Sequence, residues 1–327
     1  MKPQSRPDVS IVVCTFRRPA WLRQCLESCI SQRGLGAIAV ELLVVDNCPM
    51  ASGESVARSL EQTSEMTINY VHEPQRGISA ARNAGLKHAT GALIAFLDDD
   101  ERASEHWLSA LLQCKHDLAA DAVFGPVQVE VNTAFQHAQF YGSFLSRRSS
   151  APAGTRLMSS IAVPFWRRDR RLCPDLASCN VLFDPSSEPF ARLRFDEALG
   201  RTGGEDTLFF TQAAARGAVM YWCDRALVTE QVSEDRLTER YVMGRAFRSG
   251  QLVSLVPMML AERQPRLMLL SMLIGAAQML RFGIVAVVAA LRKDESSMVY
   301  STNFAGAAGK VLWQRWFRTQ RYGNIED

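Results

Sequence analysis

The chain has 327 residues, 47% of them hydrophobic and 22% charged, with a formal net charge of +3. Such a composition supplies a large apolar core and excludes disorder, collagen and a polytopic membrane protein. The Lys/Arg surplus is confined to residues 252–327, nine against five Asp/Glu, so the near-neutral body is not read as nucleic-acid-binding.

Met1–Asp8 has no apolar core of the kind a secretory signal needs, so the eight cysteines are expected to be reduced core thiols. Neither Cys25-x3-Cys29 nor Cys173-x5-Cys179 has the paired CxxC of a structural zinc site. Val9–Val13 is a continuous apolar, β-rich run, suited to a strand buried on both faces. From Pro19, Trp21, Leu22, Cys25, Leu26, Cys29 and Ile30 recur at helical spacing, which predicts a helix closing near Gly34. Strands are then predicted at Val40–Val45, Ile68–Val71 and Leu93–Leu97, with helices at Ser52–Gln62 and Ser79–His88 between them. This alternation predicts an α/β fold with a mostly parallel sheet flanked by helices. Trp107–Ala119 extends it by a helix and Ala122–Val131 by a strand.

Between Asn132 and Asp175 the periodicity disappears, and a long loop is expected there, carrying the basic cluster Arg167–Arg171. Ser178–Phe183 and Val219–Trp222 read as strands around a helix at Thr207–Arg216. The last quarter differs. Leu267–Leu291 is a 25-residue apolar segment whose one charge is Arg281, long enough to span a bilayer. Arg281 sits near its middle, where a charge costs about 2.5–3.5 kcal/mol, so a pair of short helices dipping into one leaflet satisfies the same composition. A buried helix of a soluble protein is the third reading. Lys310–Tyr322 interleaves Trp313, Trp316 and Phe317 with Lys310, Arg315, Arg318 and Arg321, the composition of an interfacial segment. Two parts are therefore expected: a catalytic unit over residues 1–250 and a helical, basic, membrane-associating region over 251–327.

Ligands of open parallel sheets bind at the carboxyl ends of strands. Three such ends carry polar groups: Cys14-Thr15-Phe16-Arg17-Arg18, Asp46-Asn47 and Asp98-Asp99-Asp100-Glu101. Consecutive carboxylates after a buried strand repel one another, and a hard divalent cation, Mg2+ or Mn2+, held with ligand phosphates would relieve that repulsion. Asp98 and Asp100 have the DxD spacing for it. Just upstream, Gly77 permits a tight turn into a helix whose free N–H groups suit an anion, and Arg76 and Arg82 add positive charge for phosphate. Farther on, Gly203-Gly204 leaves room for substrate beside Glu205-Asp206.

The succession VSIVVCTFRRPAWLRQCLESC, VVDN, RGISAARNAG, FLDDDE and GGED resembles the family 2 inverting glycosyltransferases of GT-A fold. Within them, the opening Phe16-Arg17-Arg18-Pro19 is most similar to bacterial exopolysaccharide enzymes of the succinoglycan-type glucosyltransferase group. The resemblance covers roughly residues 8–250. It implies that the Thr15–Arg17 loop and Asp46 hold the nucleoside, that Arg76 and Arg82 approach the donor diphosphate, and that Asp98 and Asp100 hold the metal. It further implies that Asp206 is the general base. Many relatives place a His after the base helix, whereas all five His here lie earlier; Glu230 is the nearest counterpart as a metal ligand. The expected donor is a nucleotide-sugar, a UDP-sugar first, and the expected acceptor a lipid-linked glycan at the cytoplasmic face of a bacterial inner membrane.

Three alternatives share parts of this pattern. A sugar nucleotidyltransferase would have the sheet and acidic site without needing Asp206, and a non-catalytic sugar-nucleotide-binding subunit would keep Asp98 and Asp100 alone. A processive synthase would carry QxxRW, which Trp313-Gln314-Arg315-Trp316 only echoes.

Overall fold

The structure, a computed structural model, describes residues 6–148, 152, 154–157, 176–292 and 297–318. Its first half follows the predicted alternation: β1 (Val9–Thr15), α1 (Pro19–Ile30), β2 (Val40–Asp46), α2 (Glu54–Glu61), β3 (Thr67–His72), α3 (Ile78–His88) and β4 (Leu93–Asp98). β1 is buried along its whole length, because it pairs in parallel with β2 on one side and β4 on the other. α1 starts on Pro19, whose missing N–H costs nothing in a first turn, and buries Leu22, Cys25, Leu26 and Cys29 against the sheet. Continuing, β5 (Glu101–Ala103), α4 (Trp107–Leu118), β6 (Ala122–Phe124), β7 (Val127–Glu130), α5 (Ala138–Leu145), β8 (Thr155–Arg156), β9 (Val181–Phe183), α6 (Glu205–Ala215), β10 (Met220–Trp222) and β11 (Val228–Gln231) follow.

They form an eight-stranded sheet of order β3-β2-β1-β4-β9-β6-β10-β8 and a three-stranded sheet of order β5-β11-β7. Four pairings of the large sheet are parallel, and β9 and β8 run antiparallel to their neighbours. The chain crosses from one sheet to the other at Asp99-Asp100, between β4 and β5.

Two sequence expectations are corrected. Ala122–Val131 is not one strand: it breaks at Gly125-Pro126 and contributes β6 to the large sheet and β7 to the small one. Pro126 has no N–H for a ladder, and a Cβ on Gly125 would stand 2.3 Å from the Ala226 carbonyl oxygen, so the backbones touch there. The stretch after Asn132 is not all loop either. It holds α5, β8 and the buried Arg147, whose guanidinium donates to the carbonyls of Gly125, Ala177 and Asn180 at 2.8–3.1 Å. The cluster Arg167–Arg171 lies outside the described residues.

Seven cysteines among the described residues are free thiols, six of them buried, as expected. Three long helices complete the chain: α7 (Glu239–Met259), α8 (Pro265–Leu291) and α9 (Ser297–Val311). Residue 250 falls inside α7. The apolar segment is one continuous helix rather than a pair of short ones, and Pro265–Ala289 is long and apolar enough to cross a membrane. α9 packs between α7 and α8. Backbone meets backbone, since a Cβ on Gly250 or Gly309 would lie 2.0 Å from the carbonyl oxygens of Gly306 and Phe247 respectively. Of Lys310–Tyr322, the first two residues end α9, Arg315–Phe317 form a single 3-10 turn, and residues 319–322 lie outside the described residues.

Candidate active site

The registers of the large sheet bring the predicted rim together. Thr15 pairs with Asp46, and Cys14 with Asp98, so the carboxyl ends of β2, β1 and β4 lie side by side. Successive strands leave β1 in opposite directions here, the switch point at which open α/β sheets bind ligands.

On the β2 side the polar groups organise backbone. Asp46 is fully buried and its carboxylate accepts from the N–H groups of Cys48 and Gly53 and from the Tyr70 hydroxyl. Asn47 donates to the carbonyls of Glu73 and Gln75 and accepts from the Gly77 N–H, fixing the turn ahead of α3. Gly77 has φ +126°, a left-handed conformation that glycine adopts without penalty. Arg76, half-buried, lines an open cleft of about 430 Å3 with Ser79, Glu197 and Arg201. Arg17 is exposed with φ +56°, its N–H on the Ser52 hydroxyl and its guanidinium 5.3 Å from its own Phe16 ring.

Charge concentrates between β4 and β11. The Thr15 hydroxyl donates to Asp99 at 2.8 Å, and Arg18 bridges Asp99 at 3.2 Å and Asp100 at 2.8 Å. Arg236 bridges Asp100 and Glu230, each at 3.2 Å. Glu101, buried beside Glu230 in the β5–β11 pairing, accepts from the Asp98 N–H. Burial, reinforced by the Asp100 charge, pushes Asp99 up to about 7 against the pull of Arg18 and Thr15. Burial and Asp100 likewise push Glu230 up to about 7, although Arg245 and Arg236 oppose them. Burial, with Asp98 next, holds Glu101 well above the usual carboxylate range.

Arg82 joins this cluster to α6. It is buried, 3.5 Å from Asp98 on one side and ion-paired to buried Glu205 on the other. Burial alone would lower its affinity for a proton, but the charges of Glu205, Asp98 and Asp206 overcome it and raise the pKa above the ordinary arginine value. Asp206, half-exposed at the start of α6, accepts from the Thr207 N–H at 2.6 Å. The turn before it is tight because Gly203 and Gly204 have φ +84° and +95°, and a Cβ on Gly204 would lie 2.2 Å from a Leu252 methyl of α7. Of the nine residues named from sequence, Thr15, Asp98, Asp100, Glu230 and Arg82 belong to this charged cluster and Asp206 lies next to Glu205, whereas Asp46 is turned into the protein, Arg76 lines the neighbouring cleft and Arg17 stands on the exposed turn after β1. Sequence reading placed Arg18, Asn47, Asp99 and Glu101 at the strand ends but gave none of them a role of its own. Arg17 and Arg18 are adjacent, and only the turn after β1 determines which one faces the carboxylates.

A divalent cation is the group the sequence implies. Among the described residues no three His, Cys, Asp or Glu side chains are gathered as a metal site. The donor chemistry nevertheless fits: Mg2+-type ions need only one or two carboxylates when phosphates supply the rest. Asp98 is 38% exposed and so open to a cation, and Asp98, Asp99, Asp100 and Glu230 add to one another's negative charge, while Arg18 and Arg236 already bridge Asp99, Asp100 and Glu230.

Residues 10–162 match the family described as Glycosyl transferase family 2. The succinoglycan biosynthesis protein ExoM of Rhizobium meliloti is 32% identical over 249 residues, which cover 76% of this chain and 75% of ExoM. A GalNAc(5)-diNAcBac-PP-undecaprenol beta-1,3-glucosyltransferase of Campylobacter jejuni is 26% identical over 161 residues, 49% of this chain and 50% of that protein. Among solved structures, the mannosyltransferase PcManGT of Pyrobaculum calidifontis, in complex with GDP-Man and Mn2+, superposes with TM-score 0.60 at 18% identity, covering 95% of this chain and 88% of its own. TarS 1-349 of S. aureus with UDP-GlcNAc gives 0.53 at 15% identity, covering 77% and 66%. The structural likeness establishes the GT-A-like fold.

Proposed function

The chain belongs to glycosyl transferase family 2, and on that premise we propose that it moves a sugar from a nucleotide-sugar, a UDP-sugar first, to an acceptor hydroxyl with inversion at the anomeric carbon. The observation that carries this reading is Arg82, which ties Asp98 on the donor side to Glu205 beside Asp206. Direct displacement needs a base on the face opposite the departing diphosphate, and half-exposed Asp206, next to the Glu205 that Arg82 holds, is assigned that role. Its carboxylate takes the acceptor proton. Asp98 and Asp100 would hold a divalent cation, Mn2+ or Mg2+, which supplies charge neutralisation for the leaving diphosphate. Thr15, Arg17 and Asp46 form the nucleoside side of the rim, Arg76 and Arg82 face the diphosphate, and Glu230 supports the cation from β11.

Similarity to a glucosyltransferase named for an undecaprenol-linked glycan supports a lipid-linked glycan as acceptor, and similarity to ExoM supports a place in exopolysaccharide synthesis. The basic helices after residue 250 then belong at the cytoplasmic face of the inner membrane, where nucleotide-sugars are available. Replacing Asp206 tests the assignment. Asp206→Asn should retain UDP-sugar binding and lose transfer by about 10^2–10^4; undiminished transfer would refute the base and favour a binding subunit.

A further inference from the structure

Exposure along α8 is periodic. Leu269, Leu273, Leu280, Ile284, Val287 and Leu291 are 55–80% exposed, and at 3.6 residues per turn they fall within an arc of about 60° along a helix of about 40 Å. The other side is covered by protein. Gly275 faces Ala307, Lys310 and Val311, Gly283 faces Phe304, and the Lys310 ammonium donates to the Gln278 amide oxygen at 2.6 Å.

Arg281 and Lys310 determine how such a helix meets lipid. Arg281 is exposed, lies 5.6 Å from the Phe282 ring and forms no ion pair among the described residues. Gln278 is the midpoint of α8. A spanning α8 would therefore hold both Arg281 and Lys310 near the centre of the hydrocarbon, where charge is most costly. It would also draw in α9 and α7, the latter with Arg240, Arg245 and Arg248. Lying flat removes this conflict. Arg281 and Arg292 share one edge of the apolar stripe, from which long side chains reach headgroups while the leucines sink.

Charge also selects the occupant of the face. Residues 265–292 contain three Arg and no Asp or Glu. Two copies packed face to face would oppose like charges, whereas anionic headgroups complement them. Resting on the membrane-facing reading above, we propose that α8 is a one-leaflet helix that docks the enzyme on an anionic lipid surface and does not span it. Docking is connected to the site: the Trp313 indole N–H lies 3.4 Å from the Met272 sulfur of α8, and Trp313 packs on the Leu199–Leu208–Leu255 cluster that supports α6.

Spin labels on the full chain test this. With Cys173 and Cys179 replaced by Ser, Leu269→Cys, Leu280→Cys and Leu291→Cys are labelled and bound to phosphatidylcholine vesicles with and without phosphatidylglycerol. All three labels should report the same shallow depth. A depth peaking at position 280, or labels shielded by a second copy without lipid contact, would overturn the proposal. Vesicle binding should weaken at least about tenfold without phosphatidylglycerol, and as much in a Leu273→Glu/Ile284→Glu chain; indifference to both changes would also overturn it. UDP-sugar binding is read on the same samples. Its absence alongside intact shallow docking would defeat the transferase reading alone.

Discussion

Leu26 of α1 and Leu280 of α8 are the same residue in two apolar helices, yet the first is fully buried and the second 70% exposed. The α/β unit uses its apolar side chains inward: Leu26 joins a core under the sheet, and Trp107, Trp222, Phe124 and Phe183 are fully covered. The C-terminal helices bring glycine backbones together instead, which leaves a full-length row of large apolar side chains on the outside. Their place is thus set by what lies beyond the protein. Charge follows the same division. In the α/β unit buried Arg82 and Glu205 compensate one another in the interior, with half-exposed Asp98 beside them, while on α8 the arginines stay at the surface.

The largest expected effect breaks the interior side of that comparison. Arg82→Ala strands the buried Glu205 carboxylate and should cost about 3–5 kcal/mol in denaturant unfolding; a loss below about 1 kcal/mol would show that Arg82 is not needed to compensate Glu205. On the other side, Gly309→Val pushes a side chain into the Phe247 carbonyl, 2.0 Å from where its Cβ would stand. Separation of α9 from α7 should follow, at about 1–3 kcal/mol, visible as a change in tryptophan fluorescence around Trp313.

Acidity gives a smaller effect. Asp99 and Glu230 are both pushed up to about 7, well above ordinary carboxylates, so their protonated forms favour the folded state. The stability they contribute is complete at acid pH and is lost as the pH rises through about 7. In chelator, the thermal midpoint should fall by a few degrees between about pH 5 and pH 8, and Mn2+ should flatten that slope. An unchanged midpoint would remove the reading of Asp98–Glu101 and Glu230 as a charge-frustrated cluster. Smallest is the surface helix. Leu280→Ala should change stability by no more than about 0.5 kcal/mol, against about 2–5 kcal/mol for Leu26→Ala, because only the second opens a cavity.

Legibility differed along the chain for a physical reason. Elements from β1 to β4 were readable because parallel strands buried on both faces read as continuous apolar runs and core-facing helices impose a local period of 3.6 residues. β5 and β11 were not, and β7 was read only as the continuation of β6: each is three or four residues long and is stabilised by a partner far away in sequence. The site divides similarly. Asp98, Asp100 and Asp206 announce themselves by spacing and neighbouring glycines, whereas Arg18, Asn47 and Glu205 acquire their partners only when distant segments meet.

By itself, the sequence determined the α/β class, the family, the acidic rim and the apolar C-terminal helix, since these rest on residue type and short-range pattern. Tertiary structure alone decided that Arg82 links Asp98 to Glu205, 123 residues beyond it, and that one side of α8 is covered while the other stays open. Both depend on which surfaces become neighbours, and burial, ion pairing and exposure come into being only with that contact.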